Sequence, residues 1–363
     1  MHVAQINFFV DPGRREPARL LEAWHSLGDI ATAVASQGTR VTVVQASDIE
    51  GHIRRDGVDF HFVAPRRVLE RARGADVFHV HGLGFGPDVR ALRACAPRAP
   101  ILLQDHAGHP PRIWRRAGFR AGIAPADGIA FCARVQAQPF DGLIGPHVRI
   151  FEVPESTSGF TPGAREPARG ATGIQGDPAV LWVGHLDRNK DPLTVLEGVS
   201  RAARHLPGIR LWCCFGTAPL EERVRKAIRE NPNLRGRVEL LGRVPHERVQ
   251  ELMRAADLFV LGSHREGCSF SVIEALASGL TPVVTDIPSM RMLTGKGTVG
   301  ALWKPGDAEA CADALRRCAA QPDETRRAIA RAHFDAHLSP AALGRRLNDA
   351  YRGLRTGGFD GRR

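Results

Sequence analysis

Short apolar runs alternate with amphipathic stretches along this chain, and the alternation stops once and then restarts. In the first half the apolar runs fall at 3–10, 40–46, 58–64, 76–81, 101–106, 128–132 and 148–154, with a helical stretch at 20–37 stopped by Gly38. Runs of that length between helix-period segments predict βα units, hence a mostly parallel sheet flanked by helices. From 155 to 178 the chain turns rich in Gly, Pro, Ser and Thr, the composition of a connection. The pattern then resumes, with strands predicted at 179–183, 209–215, 237–241, 258–261 and 281–285. Helices are predicted at 193–205, 221–229, 247–256 and 270–278, the last stopped by Gly279. A chain of 363 residues also exceeds what one hydrophobic core usually supports. The expected fold is therefore α/β, with two doubly wound, Rossmann-like domains facing across a cleft. Residues 1–155 form the first and 179–340 the second, 156–178 connect them, and a C-terminal helix and tail at 341–363 pack back on the first. Open sheets of this kind bind ligands beyond the carboxyl ends of their strands, so function is expected in the loops that follow strands.

A hydrophobic share of 43% and a charged share of 25% are those of an ordinary globular protein. The net charge of +11 raises the question of a polyanionic partner. Only four of the fifty basic residues are Lys, and the charges are scattered among acids without a long block, which reads as Arg-rich composition and not as a nucleic-acid surface. One segment departs from this. In Arg112-Ile-Trp-Arg-Arg-Ala-Gly-Phe-Arg120, the residues Arg112, Trp114, Arg115, Arg116 and Arg120 can dress one short exposed helix, a candidate for contact with an anionic acceptor or membrane. The seven Cys residues form no CxxC pair and no zinc-finger spacing, which points to buried thiols in a reducing compartment. The apolar N-terminus runs directly into Asp11-Pro12-Gly13-Arg14 and reads as a first strand, not a signal peptide. No segment approaches the roughly 20 apolar residues that span a bilayer. The expected location is cytoplasmic, with any membrane contact peripheral and at the inner face.

Two loops of the second half carry the chemistry. After the strand at 179–183 comes Gly184-His185-Leu186-Asp187-Arg188-Asn189-Lys190-Asp191-Pro192, a Gly turn with several cations before a helix start. A helix N-terminus with cations beside it suits a phosphate; a solvated turn capped by Asp191 would use the same residues. The second loop is Ser263-His264-Arg265-Glu266-Gly267-Cys268-Ser269-Phe270-Ser271-Val272-Ile273-Glu274. Backbone N–H groups of Cys268, Ser269 and Phe270 at the helix start can accept a diphosphate, with the helix dipole adding about 0.3–1 kcal/mol. Glu266 and Glu274 would repel phosphate, but each can accept hydrogen bonds from the vicinal hydroxyls of a sugar or a ribose.

These segments, with Leu240-Leu-Gly-Arg-Val-Pro245, Ala255-Ala-Asp-Leu-Phe-Val-Leu261 and Pro282-Val-Val284, resemble the retaining glycosyltransferases of the GT-B fold known as glycosyl transferases group 1. The resemblance covers the second domain and, more loosely, Asp76-Val-Phe-His-Val-His81 and Gln104-Asp-His106 of the first. It implies hexosyl transfer from a nucleotide-diphosphate sugar, a co-substrate, to a glycan, lipid-linked or small-molecule acceptor, with no other cofactor. It implies too that Glu274 holds the ribose, Glu266 the donor sugar and Lys190 the diphosphate, while His106 faces the donor sugar. Gly13 would bring backbone close to phosphate and acceptor, and Gly184, His185, Arg188, Gly267, Cys268, Ser269 and Phe270 would complete the donor site. The chain departs from the family at three points: one Gly at 13 where a Gly-Gly pair is usual, Ser269 where Gly is frequent, and His185 where Arg is common. Arg offers phosphate a fixed fork and His at most one N–H per side, so either Arg188 supplies the missing charge or turnover is weak.

The leaving nucleoside diphosphate is the species to stabilise, and Lys190, Arg188 and backbone N–H groups can do so without a metal; no Asp-x-Asp cluster occurs. Other readings fit less well. Gly82-Leu-Gly-Phe-Gly-Pro87 lacks the last Gly of a dinucleotide fingerprint, and Gly295-Lys-Gly297 is not a P-loop. His79, His81 and His106 have no carboxylate or Cys placed by sequence to complete a metal site. An epimerase or phosphorylase of the same fold is disfavoured by the intact Glu-x7-Glu loop. A non-catalytic nucleotide-sugar-binding homologue, acting as a partner in polysaccharide or glycolipid assembly, is the alternative that His185 favours.

Overall fold

The computed structural model describes residues 1–106 and 108–357, so the tail at 358–363 lies outside the described residues. The chain forms two compact units. The first comprises Met1–Thr157 together with the C-terminal helix Pro340–Gly357, and the second Ser158–Ser339.

In the first unit eight strands, β1 (His2–Asn7), β2 (Arg40–Ala46), β3 (Gly51–Arg55), β4 (Val58–Val63), β5 (Val77–His81), β6 (Ile101–Gln104), β7 (Gly128–Phe131) and β8 (Arg149–Glu152), form one sheet in the order β3-β4-β2-β1-β5-β6-β7-β8. All neighbours are parallel except β3, which pairs antiparallel with β4. β3 contributes the single aliphatic side chain Ile53 among polar neighbours, the composition of a protected edge strand. It joins β4 through Asp56-Gly57, both at positive φ, as a tight hairpin demands. The stretch expected as one helix at 20–37 is two, Pro17–Ala23 and His25–Ala35, broken at Trp24, whose ring leaves the axis to pack 5.8 Å from Phe9. The helix Pro340–Gly357 contributes Leu343, Leu347, Tyr351 and Leu354 to the same core as Leu20, Ile30 and Phe60.

In the second unit six parallel strands, β9 (Ala179–Val183), β10 (Arg210–Cys214), β11 (Val238–Gly242), β12 (Leu258–Leu261), β13 (Thr281–Thr285) and β14 (Ala301–Trp303), take the order β11-β10-β9-β12-β13-β14. The order reverses between β9 and β12, and that switch point is where the loops of a doubly wound sheet part to leave a crevice. Part of the stretch expected as connection is a helix, Arg165–Thr172. Arg165 and Arg169 donate to the buried Asp257 carboxylate at 2.8 and 2.7 Å, which also accepts the Ala179 N–H, so this helix is tied to the start of β9.

Candidate functional site

The two loops singled out in the sequence follow β9 and β12, the strands on either side of the switch point. Asn189 joins them. Its carbonyl accepts from His264 N–H at 2.8 Å, its side-chain oxygen accepts from Arg265 N–H at 3.1 Å, and its amide donates to the Arg265 carbonyl at 2.9 Å. The first loop runs into the helix Pro192–Ala202, whose N-cap Asp191 accepts from Thr194 N–H; the second enters the helix Phe270–Ala277. Among the described residues no side chain caps that second helix start: Ser269 at the N-cap position makes no bond to the first-turn N–H groups. Donors are therefore aimed out of an uncapped helix end, beside cations.

Those donors open into a cavity of about 420 Å³. Gly184, His185, Lys190, Glu266, Cys268, Ser269, Phe270 and Glu274 all line it. Lys190 Nζ pairs with Glu266 Oε1, both side chains largely shielded from solvent. His185 Nδ1 accepts the Thr217 N–H at 3.1 Å, so Nε2 is the nitrogen left to donate. Glu274 Oε1 accepts from His246 Nε2 at 2.6 Å. Gly267 sits in the same loop but does not line the cavity, and Arg188 is exposed on its turn outside the lining.

Two residues with no sequence-based assignment belong to this site. Arg243 lines the cavity from the loop after β11, and His246 holds Glu274. The pairing of β10 with β11 shifts register between Cys213 and Cys214, skipping Leu241, Gly242 follows at φ 69°, and Arg243 and Val244 just beyond it line the cavity. The segment Leu240-Leu-Gly-Arg-Val-Pro245 carried the signal, since it lies after a strand and contains a Gly; what was missing was the strand order that brings β11 round to β10.

Gly13 and His106 lie in the first unit. The Gly13 N–H donates to Asp11 Oδ1 at 3.0 Å, in a turn whose Arg15 and Gly13 N–H groups hold the Asp11 carboxyl below the usual carboxylate range. His106 lines a second cavity of about 390 Å³, at the β1/β5 reversal of the first sheet, with Phe9, Trp24, Leu27, His81 and Phe85. Its Nδ1 donates to Glu155 Oε2 at 2.9 Å and its Nε2 bonds His81 Nδ1 at 3.1 Å, so both ring nitrogens are engaged. Burial, and then the neighbouring His79 and His106, push His81 well below the ordinary range; burial and His106 push His79 down to about 3. Both are neutral at pH 7, and His79 Nδ1 bonds the Tyr351 hydroxyl at 2.8 Å.

In the Arg-rich segment, residues 113–115 form a single turn before the helix Arg116–Ile123. Ile113 is 80% and Trp114 72% exposed, with the Arg112 guanidinium 5.4 Å from the Trp114 ring. Among the described residues no helix is long and apolar enough to cross a membrane, and no three His, Cys, Asp or Glu side chains gather as a metal-ligating group.

Residues 164–334 match the family model described as Glycosyl transferases group 1. GDP-mannose:cellobiosyl-diphosphopolyprenol alpha-mannosyltransferase of Xanthomonas oryzae pv. oryzae is similar to this chain at 26% identity over 301 residues, covering 79% of this chain and 77% of that protein. D-inositol 3-phosphate glycosyltransferase of Mycolicibacterium smegmatis is 30% identical over 229 residues, covering 61% and 51%. Among solved structures, sucrose-phosphate synthase from Thermosynechococcus elongatus superposes with a TM-score of 0.71 over 98% of this chain and 99% of that one, at 19% identity, a likeness of fold.

Proposed function

From the premise that this chain belongs to the glycosyl transferases group 1 family and has the GT-B fold, we propose that it transfers a sugar, with retention and without a metal, from a nucleotide-diphosphate donor. The observation that carries the reading is one cavity in which an uncapped helix start, Lys190, Glu266 and Glu274 meet at the switch point of the second sheet. The diphosphate lies against the N–H groups that begin the helix Phe270–Ala277, and Lys190 leaves Glu266 to meet it. Glu266 is thereby released to accept from the donor sugar's hydroxyls, while Glu274 accepts from the ribose. As the glycosidic bond to phosphate breaks, negative charge grows on the departing oxygen. Lys190, once it has left Glu266, joins His185 Nε2–H and the backbone donors there, and a single preorganised donor of this kind is worth on the order of 10²- to 10³-fold in rate. The departing phosphate oxygen takes the acceptor's proton, so no glycosidase-type carboxylate pair is needed.

The acceptor side is the cavity of the first unit, where Phe9, Trp24 and Phe85 offer aromatic walls to the apolar face of a sugar. The relatives' names give a lipid-diphosphate acceptor in one case and an inositol phosphate in another. Exposed Ile113 and Trp114 among Arg112, Arg115 and Arg116 suit an anionic lipid surface and so favour the lipid-linked class. The test is a thermal-shift screen against UDP, GDP, ADP and their sugars, in which a ligand at 100 times its Kd adds about 2.7 kcal/mol of stability. Turnover of the stabilising donor is then assayed with lipid-diphosphate and free-sugar acceptors, and the anomeric configuration of the product read by NMR. An inverted product overturns retention. Donor binding with no turnover on any acceptor, and no slow hydrolysis, favours the non-catalytic partner instead.

A further inference from the structure

We infer that His246 is a positioning residue for the donor nucleotide, fixing the Glu274 carboxylate so that one oxygen faces the ribose diol. This rests on the ribose reading of Glu274. A carboxylate only accepts, so the 2.6 Å contact between His246 Nε2 and Glu274 Oε1 is an Nε2–H donor bond and sets the imidazole tautomer. Among the described residues His246 is the only side chain bonded to that carboxylate. The imidazole is itself held. His246 is the first residue of the helix His246–Ala255, follows Pro245, and lies with its ring 4.8 Å from that of buried Phe160.

The geometry divides the labour of the two oxygens. Oε1 is taken by His246, leaving Oε2 to accept from ribose hydroxyls without the side chain having to be ordered on binding. A glutamate loses several rotamers when it is immobilised, and orienting it beforehand converts that loss into affinity. The Lys190–Glu266 pair in the same cavity is of another kind, because both its members are expected to change partner when the donor arrives. His246 itself does not line the cavity.

The experiment measures binding by calorimetry of whichever of UDP, GDP and ADP the wild-type protein holds tightest, and of its 2′-deoxy and 3′-deoxy analogues. Wild type, Glu274→Gln, His246→Phe, His246→Gln and His246→Asn are compared. A charged hydrogen bond to a ribose hydroxyl is worth roughly tenfold or more in affinity, so wild type is expected to prefer the ribonucleotide by that factor over at least one analogue. In His246→Phe, which keeps a ring against Phe160, the preference is expected to fall to about threefold or less, as in Glu274→Gln. Gln can carry its amide N–H near the Nε2 position and is expected to restore the preference; Asn reaches only the Nδ1 position and is not. A general packing role would weaken all ligands alike and leave their ratio unmoved. A full ribose preference in His246→Phe, with the preference lost in Glu274→Gln, overturns the positioning role and leaves the ribose reading standing. Equal binding of all analogues by wild type and Glu274→Gln overturns the ribose reading itself.

Discussion

His185 stands where the resemblance to the glycosyltransferases leads us to expect Arg, and its hydrogen bond bears on what the exchange changes. With Nδ1 accepting the Thr217 N–H, the imidazole offers the cavity one donor at Nε2 where a guanidinium would offer a charged fork. Arg188, the cation expected to compensate, is exposed and outside the cavity lining, whereas Arg243 lines it. Measured as kcat/KM for the identified donor, His185→Arg is expected to keep or raise activity and His185→Ala to lower it roughly tenfold or more, the loss of one aimed donor. Arg188→Ala should change it by less than about twofold. An inactive His185→Arg, or a tenfold loss in Arg188→Ala, would show that the charge reaches the diphosphate by another route. His79 and His81 give a second residue-level expectation. The unfolded chain takes up protons at these side chains near pH 6.5, whereas native His79 does so only near 3 and native His81 well below its usual range. Below about pH 6.5 the unfolded state therefore binds more protons, and stability falls as pH falls, by up to about one kcal/mol per pH unit for each histidine. Urea midpoints followed between pH 7 and 5 should decline, and the decline should be shallower in His79→Gln, whose amide can still meet Tyr351. An equal slope in the variant would remove His79 from the account.

At the scale of elements, what the sequence disclosed and what it concealed separate by where the determining contact lies. β9 and β12 were visible because a parallel strand buried on both faces is a continuous apolar run, as in Leu258-Phe-Val-Leu261, whereas β4 showed itself by alternation, Val58, Phe60 and Phe62 buried and Asp59 and His61 between them less so. β3 was not visible, since its residues are mostly polar and only the Asp56-Gly57 turn announces the hairpin. The break at Trp24 has no Gly or Pro to mark it in Leu21-Glu-Ala-Trp-His25, and the Trp24 ring there packs on Phe9, a contact across 15 residues that local sequence does not show. At the site, the loops after β9 and β12 were legible from their glycines and carboxylates, while Arg243 and His246 became visible only through the strand order. The helix Arg165–Thr172 was hidden in a connection-like composition because its anchor, Asp257, lies far along the chain. That anchor is testable. Asp257→Asn would leave two guanidinium groups facing an uncharged amide; breaking a buried pair costs about 3–5 kcal/mol, and the partial exposure of Arg165 and Arg169 puts the expectation near 3. Hydrogen exchange should rise first in the helix Arg165–Thr172 and at the start of β9. A variant within about 1 kcal/mol of wild type in urea unfolding, with protection of that helix unchanged, would mean that apolar packing alone holds it.

On the scale of the whole molecule, the first unit is completed by the helix Pro340–Gly357, which follows the second unit in the sequence. Leu343, Leu347, Tyr351 and Leu354 of the helix Pro340–Gly357 are buried in the first unit's core, and Asn348 accepts from the Thr39 hydroxyl at 2.5 Å. Burying a large side chain contributes about 1.5–3 kcal/mol, so four such residues amount to a substantial part of the roughly 5–15 kcal/mol that holds a typical domain folded. The helix sits against His25–Ala35 so closely that a Cβ built on Gly344 would lie 2.0 Å from the Ala33 carbonyl oxygen. That is backbone, not a side chain that can turn away, so any larger residue at 344 must push the two helices apart. Gly344→Val is therefore expected to destabilise the first unit by several kcal/mol through lost burial of Leu343 and Leu347, while the second unit keeps its own core. Hydrogen exchange with mass spectrometry would read the two units separately: protection should collapse in β1, β2 and β5 and in the helix His25–Ala35, and persist in β9, β12 and β13. Nucleotide binding at the second unit's cavity should survive in the same variant, because every residue lining that cavity lies between Ser158 and Ser339. Equal loss of protection in both units would show that they unfold as one, and unchanged protection in the first would mean that the C-terminal helix is dispensable to its core.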